Sequence, residues 1–142
     1  MGNEALEKAK SLLLSEGYTC VLTDGSGVYT STRRGVKPLV DFLQSEKIFN
    51  GFFAADKVVG RATAYLYVLL GVKELYAQVI SQPAAAVLEA HAISVQYDTL
   101  VPNIINRAGD GICPFEAAVM DITDPQGAFT AILQKMAEMH IL

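Results

Sequence analysis

Side chains that hold metals or act as bases near neutral pH are scarce in this chain. It has two histidines, His91 and His140, and two cysteines, Cys20 and Cys113, far apart in sequence. The N-terminal "MGNEALEKAK" lacks the layout of a signal peptide, and its Met-Gly start is a poor myristoylation site because Leu6 stands where Ser or Thr is wanted. Two reduced thiols in a cytoplasmic protein are therefore expected. No uninterrupted apolar run approaches the ~20 residues of a membrane span, so no membrane partner is expected. Positive charge is not in excess: 11 Lys and Arg stand against 15 Asp and Glu, a net charge of -4. That balance argues against a sequence-independent binder of phosphate backbones, and no nucleic-acid partner is expected. Repeats, linkers and low-complexity tracts are missing too, so residues 1–142 read as a single domain large enough for a real core.

What is plentiful is apolar surface. Hydrophobic residues make up 51% of the chain and charged ones 18%, which implies extensive burial, partly in a subunit interface; a homodimer is the expected assembly. Asn3 is placed to cap a first helix carrying Leu6, Ala9 and Leu13, with Gly17 as its stop. "YTCVLT" (18–23) and "GVYTST" (27–32) read as strands joined by the hairpin turn "DGSG". "GVKPLVDFLQS" (35–45) reads as a helix and "GFFAA" (51–55) as a strand. "DKVVGRATAYLYVLLG" (56–71) reads as a buried helix capped by Asp56 and ended by Gly71. Strand 74–81, helix 82–91 and strand 93–97 follow, then a loop over 102–112 and closing helices over 114–121 and 125–140. The alternation predicts an α/β fold: a three-layer α/β/α sandwich on a mixed five-stranded sheet, an antiparallel hairpin plus parallel β-α units.

That order, with the phrases "RRGVKPL", "AADKVVGRATA", "VISQPAAAVLEAHAI" and "NRAGDGICPFEAAV", resembles a small prokaryotic domain-of-unknown-function family with a cytidine-deaminase-like fold. The resemblance spans nearly the whole chain. Zinc-dependent deaminases carry His or Cys, then x, then Glu at the start of the helix after the hairpin, and Pro-Cys-x-x-Cys at the start of the next crossover helix. Here "RRGVKPLV" and "ADKVVG" stand in those places, and neither offers a His or Cys. Zinc needs three or four converging N, S or carboxylate ligands. No metal, no other cofactor and no zinc-dependent deamination are expected.

The sheet's carboxyl edge is then the place to look for a ligand. On a helix beginning at Asp56, Lys57 and Arg61 share a face and reinforce the positive end of the helix dipole. Gly60 permits a close approach there. The resemblance implies that Lys37, at the start of the preceding helix, flanks the same pocket. Lys37, Asp56, Lys57 and Arg61 are thus candidates to hold a small anionic or nucleotide-like molecule; the alternative is that the cations are neutralised by acidic neighbours. Asn106 and Arg107 either hydrogen-bond a ligand or close their own loop. Cys113 precedes Pro114, and Glu116 falls at the third helical position, the spacing of a capping box with Cys in the Ser/Thr place. A thiol caps poorly. Cys113 is therefore either a small core residue or a thiol activated by the helix end, with Glu116 as its catalytic partner. Cys20, in mid-strand, and Tyr67 read as packing residues. Three functions stay open: a metal-free binding domain, a thiol-dependent enzyme and an oligomeric interaction protein.

Overall fold

The computed structural model describes residues 2–106 and 108–141, the side chains of Gly2 and Asn3 apart. Alternation in the first strand, β1 (Cys20–Thr23), sorts the layers. Val21 joins a cluster with Ala5, Leu6, Ala9 and Leu13 of α1 (Gly2–Glu16), while Cys20 and Leu22 join the larger core on the opposite face. That second face is covered by α2 (Lys37–Gln44), α3 (Arg61–Leu70) and α4 (Gln82–Ala90), with α5 (Pro114–Ala118) and α6 (Pro125–Glu138) packed against α3. The expected α/β class and mixed sheet are observed, with a single helix on one side. The Asn3 cap concerns a side chain outside those described. Among the described residues no helix is long and apolar enough to cross a membrane.

The sheet runs β2-β1-β3-β4-β5, where β2 is Val28–Ser31, β3 Phe53–Val59, β4 Glu74–Ser81 and β5 Ser94–Val101. β1 is antiparallel to both of its neighbours, and β3, β4 and β5 are parallel. The hairpin turn is held by Asp24, whose Oδ1 accepts from the N–H groups of Ser26 and Gly27 at 2.9 and 2.8 Å.

One boundary differs from the sequence expectation in a way that matters. Residues 56–59 are not the first turn of a helix; they continue β3, with Asp56 opposite Cys20 of β1 and Ala77 of β4. Val58 and Val59 explain it, because β-branched side chains favour a pleated strand and Val59 is fully buried there. The helix begins at Arg61 behind Gly60, and it ends as expected at Gly71, in the left-handed region at φ 77°. Likewise β5 runs past residue 97, through the strand-favouring Thr99, Leu100 and Val101, and α5 stops at Ala118.

Near the carboxyl edge the alternation slips by one. Ala54 and Asp56 face the helical layer and so does Val59; Leu75 and Ala77 face it and so does Ile80. Val58 and Val79 are thereby turned to the α1 side.

Because α1 is the one helix on its face, its largest almost fully buried side chain, Leu13, carries much of that layer. Leu13→Ala, at a site 1% exposed, is expected to cost about 2–5 kcal/mol, read as a lower urea midpoint at unchanged slope.

Candidate functional site: the α3 start and the buried acid beneath it

Gly60, Arg61 and Ala62 form the amino end of α3, whose first N–H groups have no partner within the helix. The carboxylate of Glu116 fills the position. It accepts from the N–H of Arg61 at 2.7 Å and of Ala62 at 2.8 Å. A Cβ on residue 60 would lie 2.5 Å from the Glu116 carboxyl carbon, so only glycine admits this approach. Negative charge on these donors is also favoured by the helix dipole. The helix thus starts at Arg61 and not at Asp56 as the sequence suggested, and the anion on its first amides is the protein's own carboxylate.

Arg61 returns the contact. Its guanidinium donates to the carbonyl of Val119 at 3.2 Å, to the carbonyl of Ile122 and to the Tyr65 hydroxyl at 3.1 Å, while Tyr65 itself donates to Ile122 at 3.0 Å. Val119 is the C-cap of α5. A carboxylate from α5 thus caps the start of α3, and a cation from α3 caps the end of α5. The expected capping box at Cys113 is not formed: Glu116 serves another helix, and the Cys113 thiol makes no capping bond.

Below this clasp, in the core, lies a second polar group. Asp56 is 8% exposed, and its Oδ2 accepts from the Tyr67 hydroxyl at 2.6 Å. The oxygen of Tyr67 is 3.3 Å from the Cys20 sulfur, and Asp56 Oδ1 accepts from the Val58 N–H at 3.3 Å. With Tyr67 donating to Asp56, the thiol is the donor to Tyr67, and the three groups form a chain. Burial pushes the Asp56 carboxyl up to about 7, even though Tyr67 and the Val58 and Lys57 N–H groups oppose the shift. Burial also raises the Tyr67 phenol and the Cys20 thiol, with the Asp56 charge adding to both. Tyr67 and Cys20 do pack in the core, as the sequence suggests, but they also carry this chain; a tyrosine hydroxyl in an otherwise apolar helix needs a polar partner, and that need was the signal.

The other candidates are dispersed. By alternation from Asp56, Lys57 points to the α1 side, away from Arg61, so the two cations do not share a face as expected. Lys37 opens α2 and pairs with Asp41 at 2.9 Å, and Arg33 approaches the same carboxylate at 3.5 Å. Asn106 closes its loop: its Oδ1 accepts from the N–H groups of Gly109 and Asp110, and its amide donates to Asp110. Arg107 lies outside the described residues. Cys113 is half-buried against the main core, and its thiol has no hydrogen-bonding partner among the described residues. His91 sets Nδ1 against the Val87 carbonyl and its ring edge-on to Tyr65. Among the described residues no three His, Cys, Asp or Glu side chains converge as a metal site would require. Two shallow cavities, of about 340 and 490 Å³, flank the start of β5, one beside Leu6 and Glu74, the other beside Ala85 and Tyr97; neither reaches Arg61, Asp56 or Cys113.

Two outcomes follow from this geometry. Asp56 has a folded pKa above its unfolded value, so its neutral form stabilises the fold below the ordinary carboxylate range, and that contribution is lost as pH rises through about 7. Urea unfolding should show a fall of up to about 4 kcal/mol between acidic and alkaline pH, and Asp56→Asn should flatten it. Glu116→Ala should cost about 2 kcal/mol and speed hydrogen exchange at the Arg61 and Ala62 amides; Glu116→Gln should keep most of that protection.

Residues 8–136 match the family model described as a domain of unknown function, DUF1893. The crystal structure of TM1506, a DUF1893 family protein from Thermotoga maritima determined at 2.70 Å, superposes with a TM-score of 0.86 at 27% identity, covering 92% of this chain and 89% of that one. Curated proteins give no match. A model match over most of the chain, joined to the same fold in a solved relative, places this protein in the DUF1893 family.

Proposed function

We propose that this chain is a metal-free domain of the cytidine-deaminase type that binds a small anionic or nucleotide-like molecule at the carboxyl edge of its sheet. The order β2-β1-β3-β4-β5, an antiparallel hairpin followed by three parallel strands, supports the fold half of the reading. The starts of α2 and α3, where zinc deaminases place their ligands, carry Lys37-Pro38 and Gly60-Arg61, which do not fit a zinc ion. Two free cysteines, one of them buried, support a cytoplasmic setting.

The observation that carries the binding half is the carboxylate already seated on the Arg61 and Ala62 amides. It is an oxyanion held at this edge, in a cradle opened by the missing side chain of Gly60. A carboxylate or phosphate ligand would bind by displacing Glu116, so its apparent affinity is set by competition with that internal group. A neutral side chain at residue 116 weakens the competitor and leaves the donors in place.

The test is thermal shift of the whole chain against inorganic phosphate, mononucleotides and small carboxylates, for wild type and Glu116→Gln. The proposal requires stabilisation of wild type by at least one class, about 2.7 kcal/mol at a hundredfold excess over Kd, with tighter binding to the variant. Silence of both proteins across the panel overturns it.

A further inference from the structure

The ligand reading gives no part to the buried chain of Asp56, Tyr67 and Cys20. The positions of its heavy atoms allow its hydrogen bonds to run in either direction. The Tyr67 hydroxyl oxygen stands 2.6 Å from Asp56 Oδ2 and 3.3 Å from the Cys20 sulfur. A hydroxyl can donate to one such neighbour while it accepts from the other, and a thiol can play either part weakly. The remaining partners of Asp56 have no such freedom. Its Oδ1 meets the Val58 N–H at 3.3 Å, and the Lys57 N–H also bonds to the carboxyl; both are donors. With Asp56 ionised, one arrangement therefore satisfies the chain: Cys20 donates to Tyr67, and Tyr67 donates to the carboxylate.

A proton added to Asp56 finds an acceptor at one of its two oxygens. On Oδ1 it would face the Val58 N–H, another donor, and stay unmet. On Oδ2 it points at the Tyr67 oxygen. Tyr67 then accepts from Asp56 and turns its own hydrogen to the Cys20 sulfur, and the thiol hydrogen loses its partner. An unmet S–H costs less than an unmet carboxyl O–H, because the thiol is the weaker donor. We propose that the chain is a pH-sensitive switch in the core: it runs from Cys20 through Tyr67 to Asp56 when the acid is ionised, and from Asp56 through Tyr67 to Cys20 when it is neutral. The proton of Asp56 exchanges with solvent, and the other two hydrogens change direction without leaving their atoms.

The surroundings leave the response to this chain. From β1 the acid faces Cys20, from β4 it faces Ala77, and α3 presents Tyr67. Among the described residues no ion pair reaches it. The charged or titratable side chains of the neighbouring helices are engaged elsewhere: Lys37 of α2 by Asp41, Arg61 of α3 by the carbonyls of Val119 and Ile122, Glu116 of α5 by the α3 amides, and His91 beyond α4 by the Val87 carbonyl. Lys57 falls on the other face of the strand. Burial without a cation raises the carboxyl to about 7, which brings both directions within reach of a folded chain. Burial also keeps the Cys20 thiol protonated across that range. The switch changes how α3 is held, by a charge-assisted bond to β3 in one state and by neutral bonds to β3 and β1 in the other. It does not rest on the ligand reading, since Glu116 and the α3 amides take no part in it.

Infrared spectroscopy of the full chain reads both ends of the switch. The carboxylic C=O band of neutral Asp56, identified by its loss in Asp56→Asn, should disappear as pH rises through about 7. The S–H band of Cys20, isolated by Cys113→Ala or Cys113→Ser, should move to lower wavenumber over the same range as the thiol becomes a donor, and return on acidification. In the Asp56→Asn background the S–H band should hold one position at every pH. Circular dichroism checks that each variant is folded. An S–H band that stays fixed while the C=O band titrates puts the proton on Oδ1 and overturns the proposal. A C=O band unchanged from acid to alkali overturns it as well.

Discussion

The exchange of caps between α3 and α5 holds the closing helices, α5 and α6, to the rest of the molecule. Glu116 supplies the acceptor that the amino end of α3 lacks, and Arg61 supplies donors that the carboxyl end of α5 lacks. Each helix end is buried, where an unmet N–H or C=O would be costly. Neither helix can therefore be placed without the other. The exchange also fixes where α6 begins: Ile122, the second carbonyl on Arg61, is followed at Asp124 by the N-cap of α6, whose carboxylate accepts from Gly127 at 2.7 Å. From there Ala128, Ile132 and Met136 are carried into the core over α3. A single glycine, Gly60, makes the approach sterically possible.

Asp56 imposes a different constraint. A carboxyl group in a β-strand between a sheet and its covering helix has little solvent to ionise into, and Tyr67 and the Val58 amide offset only part of that loss. The core is consequently tied at one point by directional bonds, Cys20 to Tyr67 to Asp56, which link β1, α3 and β3. Apolar contacts alone would let α3 slide or rotate over Ala54 and Ala77, two small side chains with little relief. A bond from the middle of α3 to a fixed strand position removes that freedom.

The sequence conveyed the framework because the framework is written in local terms. Hairpin residues at 24–27, prolines opening α4, α5 and α6, and Gly71 closing α3 each act within a few residues of themselves, and the corresponding elements are where the spacing put them. The site was harder to read for the same reason. "DKVVGRA" offers two helix starts, Asp56 and Gly60; polar Asp and Lys suggested the first, while Val58 and Val59 required the second. Glu116 lies three residues after Cys113, which suggested a local cap, yet its partners are 55 and 54 residues away. Contacts of that separation leave no periodic trace. The one sign in the sequence was a mismatch: a cysteine where a capping box wants Ser or Thr, leaving Glu116 without its usual reason to be there.

These placements separate two surfaces that the sequence had merged. Had α3 begun at Asp56, Lys57 and Arg61 would have pointed together into one crevice. With β3 extended to Val59, a single peptide sends Asp56 into the core and Lys57 to the far face of the sheet, and Arg61 is engaged by carbonyls. The positive charge expected of the ligand site is thus spread among an internal clasp, an ion pair at Asp41 and an open sheet face. What remains at the α3 start is a neutral pair of amides and a dipole, holding a carboxylate. Such a cradle discriminates by geometry more than by charge, since two converging N–H donors suit any planar or tetrahedral oxyanion. The ammonium of Lys57, by contrast, has no ion-pair partner among the described residues and falls, by alternation, on the α1 side of the sheet. The buried acid and the cation next to it in sequence are therefore assigned to opposite faces of β3, and the strand's extra residues are what divide them.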